Sequence, residues 1–255
     1  MAVEQTKHEY GGDFYEYINS GSGASASVIC PLLVKWLNPA SVLDVGCGAG
    51  AWCRVWMNNG IGDLLGVDGD YVNRDSLLIP RENFGSHDLA QSFDAGRKFD
   101  LVVSLEVAEH VPESSAATFV ENLVRHGDCI LFSAAVPGQG GEFHVNEQPL
   151  SYWRELFSRY GFECFDPIRP LVVKDSRIEP WYRYNTLLYV RASKVPSLPD
   201  EIRKHRIGAG QPISELAPLS WRMRNSLIRV LPKTLVDGLV QVKHNWGRRK
   251  ARILR

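Results

Sequence analysis

The chain has 255 residues, 29 Lys+Arg against 29 Asp+Glu and a formal net charge of zero. An apolar content of 44% and a charged content of 23% are ordinary for a folded soluble chain and argue against a disordered one. No apolar run approaches the roughly 20 residues that span a bilayer, and the polar start MAVEQTKHEYGGDF does not read as a secretory signal.

The zero balance hides an asymmetry. Residues 201–255 hold 13 Lys+Arg against 3 Asp+Glu, and the first 200 residues hold 16 against 26. The two parts are therefore read separately. Five cysteines show no paired spacing, and Cys30, Cys47, Cys129 and Cys164 lie in apolar or strand-like surroundings. Buried free thiols and a cytoplasmic setting are the expectation.

Residues 1–40 open the chain. Phe14, Tyr15 and Tyr17 precede a Gly/Ser stretch at 20–27, read as a loop leading into a helix. The arrangement suits a lid with a hinge; a helix packed permanently on the core is the alternative. From 41 to 192 strand-like runs alternate with helical patterns. SVLDV (41–45) is a short buried strand, 50–60 a helix stopped by Gly60, and LLGVD (64–68) a second strand. FGSHDL (84–89) and FDLVVSL (99–105) are the next two strands. Residues 113–127 carry apolar positions 116, 119, 120, 123 and 124 at helical period, up to Gly127. CILFSAAV (129–136) is a fifth strand and 150–161 another helix. Residues 162–168 and 184–192 read as a closing antiparallel pair joined by a loop. Alternation of this kind implies an α/β fold, with ligands beyond the carboxyl ends of the strands. Residues 193–255 read as a Pro-punctuated linker and a basic helical extension.

The chemistry-bearing residues collect at those strand ends. LDVGCGAG (43–50) is a strand followed by Gly46, Gly48 and Gly50, with G-x-G-x-G spacing after Asp44. An acid at this turn suits a cationic amino acid group better than a diphosphate. Asp68 closes the second strand, where a carboxylate grips a ribose diol, and Asp88 is placed for an adenine amino group. DVGCGAG, GVDGD, HDL and FDLVVSLEVAEHV resemble, in order and spacing, the class I S-adenosylmethionine-dependent methyltransferases. Over residues 20–192 the resemblance implies a Rossmann-like, seven-stranded, mostly parallel sheet with helices on both faces and a reversed final hairpin. It implies Gly46 and Gly48 against the methionine part, Asp68 on the ribose, and Asp88 and Leu89 at the adenine. Asp44, Cys47, Gly69 and Leu105 complete the cofactor set.

Glu106, Glu109 and His110 follow the fourth strand at i, i+3, i+4, one face of a helix if the chain turns helical there. The E-x-x-E-H pattern resembles ubiquinone-pathway O-methyltransferases, and with a later histidine, small-RNA 2′-O-methyltransferases. By that resemblance Glu106, Glu109, His110 and His144 would hold Mg²⁺, with Mn²⁺ the alternative, chelating an acceptor diol. Equally, the Glu caps a turn, the His packs on the sheet, and His144 is a free general base with Glu106 beside it.

The acceptor set proposed from GQGGEFHVNEQPLSYW comprises Gln139, Asn146, Glu147, Tyr152 and Trp153, with Tyr15 from the lid. Polar side chains with aromatic platforms suit a sugar. The wider run of motifs resembles methyltransferases of bacterial glycan assembly. The resulting expectation is O-methylation of a sugar or oligosaccharide. RNA 2′-O-methylation and a non-catalytic, S-adenosylmethionine-binding scaffold are the alternatives, nucleic acid being disfavoured by the acidic first 200 residues. Trp221, Ile228, Leu231, Leu235, Leu239, Val242 and Trp246 form a stripe in the basic extension. It would pack on the core, on a second copy, or on an anionic membrane surface.

Overall fold

The computed structural model describes residues 12–230, with side chains from residue 21 onward. Its centre is one sheet in the order β3-β2-β1-β4-β5-β7-β6-β8. Strands β1 (Ser41–Val45), β2 (Asp63–Asp68), β3 (Phe84–Ser86), β4 (Leu101–Leu105) and β5 (Cys129–Ser133) run parallel. β7 (Leu187–Arg191) lies antiparallel between β5 and β6 (Phe162–Phe165), and β8 (Arg206–Ile207) adds antiparallel to β6. The expected seven-stranded, mostly parallel sheet is therefore corrected to an eight-stranded mixed one. The eighth strand is two residues long, too short to show alternation, and sits in a stretch read as helical.

Alternation along the strands sends side chains to two apolar layers. Val42, Leu101, Val103, Leu105 and Leu131 face one layer; Leu43, Val45, Val102, Ile130 and Phe132 face the other. Helices α1 (Gly12–Leu37) and α2 (Ala51–Asn58) cover the first through Ile29, Leu33, Trp52 and Trp56. Helices α3 (Ala116–His126) and α4 (Leu150–Arg159) cover the second through Phe119, Leu123, Trp153 and Phe157. Trp153 is 0% exposed, with its ring 5.3 Å from that of Phe132. It is a core residue, and its place in the acceptor set is withdrawn.

The Gly/Ser stretch is not a hinge: α1 runs through it without a break. Ser25 Oγ donates to the Gly21 carbonyl at 2.7 Å and Ser27 Oγ to that of Ala24. The small side chains form a contact face. A Cβ on Gly21 would crowd the Glu179 carboxylate, Ser22 Oγ lies 3.0 Å from Tyr182 Oη, and the Glu179 amide donates to Ser25 Oγ. The side chains of Phe14, Tyr15 and Tyr17 lie outside the described residues.

Between β6 and β7, where a loop was expected, stand two short helices, α5 (Arg169–Val172) and α6 (Pro180–Asn185). Arg169 is buried and fully engaged. It pairs with Asp166 through Nε (3.0 Å) and Nη2 (2.8 Å), and it donates to the carbonyls of Tyr184 and Ser214. After β7, helix α7 (Asp200–Arg203) returns Leu198 and Ile202 to the first layer. Helix α8 (Leu219–Val230) ends the described chain, and residues 231–255, with Leu231, Leu235, Leu239, Val242 and Trp246, lie outside it.

Arg169→Ala leaves the Asp166 carboxylate without its partner, and a loss of about 3–5 kcal/mol is expected in denaturant unfolding. Arg169→Lys restores the charge but not the planar fork, so it recovers only part of that loss.

Candidate active site

The loop after β1 is shaped by what will not fit. Gly46 has φ +85°, and a Cβ there would overlap Val107, so only glycine lets this loop pass the loop after β4. The Gly46 amide donates to the Val67 carbonyl at 2.8 Å, tying the loop to β2. Gly48, at φ +55°, has open space where a Cβ would stand, and its amide donates to Asp68 Oδ2 at 2.6 Å. Asp68 also accepts from the Gly69 amide (2.7 Å) and the Tyr71 hydroxyl (2.5 Å). Burial pushes its pKa up against these hydrogen bonds. Gly69 lacks the Cβ that would strike the Tyr71 ring. A ribose diol at Asp68 would compete with Tyr71, a residue the sequence reading missed.

Asp44 is buried in β1 and accepts from Cys53 Sγ at 3.3 Å. Burial raises its pKa to about 7, with the Asp68 charge adding to the shift and the Cys53 bond opposing it. Cys47 turns its thiol onto Gly66, and the thiol also donates to the Gly48 carbonyl within the loop at 3.5 Å. All five cysteines are free thiols, three of them buried and Cys47 and Cys129 half-buried. Asp88 is exposed, accepting only a local bond from the Ala90 amide, whereas Leu89 lies in the second core layer and Leu105 in the first.

After β4 the chain does not become an α-helix. Glu106 adopts φ +56° and residues 108–110 make a single 3-10 turn. The left-handed residue is held by its amide, which donates to the Ser133 carbonyl and hydroxyl. The three acidic and imidazole groups therefore do not share one helical face. The Glu106 carboxylate accepts from Gln139 Nε2 (2.7 Å) and Asn185 Nδ2 (3.4 Å), and Asn185 also donates to Gln139 Oε1. Burial raises the Glu106 pKa.

Glu109 is 1% exposed. Its carbonyl accepts the amides of Val145 and Asn146, which pins the 140s loop over it. Burial, then the nearby Glu106 charge, push its carboxyl far above the usual range, and its Oε2 is buried without a hydrogen-bond partner. His144 stands beside it, with Nε2 4.0 Å from Glu109 Oε1 and Nδ1 2.7 Å from Glu147 Oε1. The His110 and His144 rings are 5.0 Å apart, edge to face. One donor atom each from Glu109, His110 and His144 lies within a 4.8 Å set. Glu106 falls outside that set, which corrects the expectation of four ligands.

Glu147, named for the acceptor set, is engaged within the protein. It takes the His144 ring nitrogen and the amides of Gly138 and Gly140, both at 2.7 Å. Burial raises its pKa, but these partners outweigh it and leave the carboxyl below its ordinary value. Glu147 thus sits on the Nδ1 edge of the His144 ring and Glu109 on its Nε2 edge. Gly141 leaves the room that the imidazole occupies. Gln139 and Asn146 are likewise buried supports, Asn146 accepting from Gln148 Nε2. Tyr152 is half-buried, and Phe143 and Val145 are the exposed apolar side chains flanking His144. Arg224 of α8 donates to the Gln139 carbonyl at 2.8 Å. Asn185 and Arg224 stand in no motif, and no local signal marked them.

Residues 26–126 match a family model described as a methyltransferase domain. Over these residues the chain is similar to S-adenosylmethionine-dependent methyltransferases. A ubiquinone biosynthesis O-methyltransferase of Pseudomonas syringae pv. tomato is 28% identical over 151 residues, 53% of this chain and 58% of that protein. That of Ruegeria sp. is 28% identical over 123 residues, 46% of this chain and 45% of that one. The chain thus spans about half the length of these curated relatives. Among solved structures, the sugar N-methyltransferase KedS8 from Streptoalloteichus sp. superposes with a TM-score of 0.56 at 18% identity, over 75% of this chain and 98% of that one. Magnesium protoporphyrin IX methyltransferase from Synechocystis, with bound S-adenosylmethionine, gives 0.50 at 20% identity, over 73% and 87%. At such identities the two share the fold with this domain. The matched region covers the glycine loop, Asp68, Asp88 and the Glu106–His110 turn, and stops before the His144 loop.

Asp44 yields a pH test. A cationic amino acid group beside it favours the ionised carboxylate. Calorimetry should therefore show S-adenosylmethionine affinity rising between about pH 6 and pH 8, as the free-state pKa near 7 is crossed. Asp44→Asn should flatten that rise. In the free protein the raised pKa has the opposite consequence for folding. The folded chain binds the proton more tightly, so stability falls as pH climbs from the ordinary carboxylate range through about 7.

Proposed function

We propose that this domain transfers the methyl group of S-adenosylmethionine to a hydroxyl of a sugar or oligosaccharide, with His144 as the general base. The supporting observation is the Glu147–His144 dyad, with Nδ1 2.7 Å from Glu147 Oε1 and Nε2 on the Glu109 side of the ring. An alcohol is a poor nucleophile even toward a sulfonium, so removal of its proton is the step where the protein must help. The acceptor oxygen attacks the methyl carbon, the carbon–sulfur bond breaks, and sulfur leaves as the neutral thioether. The acceptor proton passes to His144 Nε2. Glu147 stabilises the imidazolium that forms, as its two glycine amides hold it in place. The oxygen acceptor is supported by relatives that are named O-methyltransferases. A sugar is supported by the polar rim and by the glycan-pathway likeness of the motifs.

Glu109, His110 and His144 also fit a divalent cation, since the buried Glu109 Oε2 has no hydrogen-bond partner and three donors converge. Two imidazoles with one carboxylate suit Mn²⁺, Fe²⁺ or Zn²⁺ better than the expected Mg²⁺, which prefers oxygen ligands. Such an ion would lower the pKa of an acceptor hydroxyl. One lone pair on His144 Nε2 serves either the ion or the proton, so the two roles exclude each other.

His144→Ala should lower methyl transfer by about 10²–10⁴-fold while leaving S-adenosylmethionine affinity unchanged by calorimetry; full turnover would remove the assignment. The assay uses labelled S-adenosylmethionine with a panel of mono- and oligosaccharides and small RNA as control. Label on RNA alone would replace the sugar reading. A rate indifferent to EDTA is the outcome expected for a histidine base. Loss restored by Mn²⁺ would make His144 a ligand.

A further inference from the structure

Helix α8 has two apolar stripes, and only one of them is covered. Half-buried Trp221 and Ile228, with buried Asn225, face the core. The Trp221 ring lies 5.8 Å from that of Tyr184, and the Asn225 carbonyl abuts Gly138, where no Cβ would fit. The second stripe is Leu219, Met223, Leu227 and Val230, exposed by 66, 63, 60 and 75%. Their i, i+4, i+8, i+11 spacing sets them on one side of the helix, nearly opposite the packed stripe. None of the described residues covers it.

Charge identifies the partner. Exposed Arg222 and Arg229 sit at 100° steps that place both between the exposed and packed stripes, and α8 contains no acidic residue. Residues 231–255 add seven Lys+Arg against a single acid, Asp237. A second copy paired through the same helix, or the chain's own last 25 residues, would bring like charge against this face. An anionic headgroup layer neutralises it, while the four apolar side chains enter the acyl boundary and the arginines reach up to phosphate.

We propose that α8 docks the protein on the surface of an anionic bilayer. The reading is independent of the acceptor's identity. It sets the Gly138–Gln139 turn, which α8 touches, about one helix diameter, roughly 10 Å, from the headgroups.

The test is co-sedimentation of the full chain with phosphatidylcholine vesicles, with and without phosphatidylglycerol. Binding is expected only to the anionic vesicles, weakening as salt rises. The double variant Met223→Gln, Leu227→Gln should bind about tenfold or more weakly, with circular dichroism and S-adenosylmethionine affinity unchanged. Absence of binding to anionic vesicles would overturn the proposal. So would equal binding by the variant, which would assign attachment to residues 231–255. A wild-type dimer that the variant converts to monomer would make a second copy the occupant and would also overturn it.

Discussion

Gly46 and Val107 touch with no space for a further atom, and the geometry of the site descends from that contact. It brings the turn after β1 against the turn after β4, so the cofactor loop and the Glu106–His110 segment share a wall. Glu106 must then turn left-handed to leave the sheet, and the Ser133 carbonyl and hydroxyl hold it there. From the same turn the Glu109 carbonyl captures Val145 and Asn146, and Glu147 captures Gly138 and Gly140. A steric contact, backbone bonds and the Glu147 carboxylate thus carry position from the glycine loop to His144, over segments that have no regular structure of their own. Backbone amides held by carboxylates give this loop a rigidity that its glycine content alone would deny it.

The strand ends gather carboxylates that water would otherwise solvate. Asp44, Asp68, Glu106 and Glu109 are each pushed upward mainly by burial. Such a cluster is costly in a free protein, because each ionised form loses hydration and repels its neighbours. A cationic partner offsets that cost. S-adenosylmethionine carries a sulfonium and an ammonium, and the Glu109 side is closed by two imidazoles. The acidity of these strand ends is thus matched to the charge of such a cofactor.

The glycine-loop side and the His144 side of the site differ in how local their determinants are. The half covered by the family match is built from turns of a few residues, each beside a strand end. The His144 side draws on the 138–147 loop, Asn185 at the end of α6 and Arg224 on α8, joined by bonds between residues 85 and 46 positions apart in sequence. Arg169 anchors α6 from beneath, so a buried ion pair distant from the chemistry sets where Asn185 meets Glu106.

Composition and period were enough for the parallel strands, the helices of both faces, the glycine loop and the acid at the end of β2, because each is written within about ten adjacent residues. Three readings needed the folded chain. The Gly/Ser run reads as a hinge until α6 packs on it, when smallness becomes a contact surface. Trp153 has the composition of a sugar platform, and its helix phase against Phe132 buries it. Glu106, Glu109 and His110 share a helical spacing, but one residue at positive φ and one 3-10 turn send Glu106 to Gln139 and Asn185 while Glu109 and His110 meet His144. By itself the sequence determined which chemical groups stand at the strand ends, since spacing along a strand or turn is a local property. Tertiary structure alone decided which of those groups face one another and which side of α8 remains bare, since those contacts join residues far apart in the chain and depend on backbone angles that no residue pattern encodes.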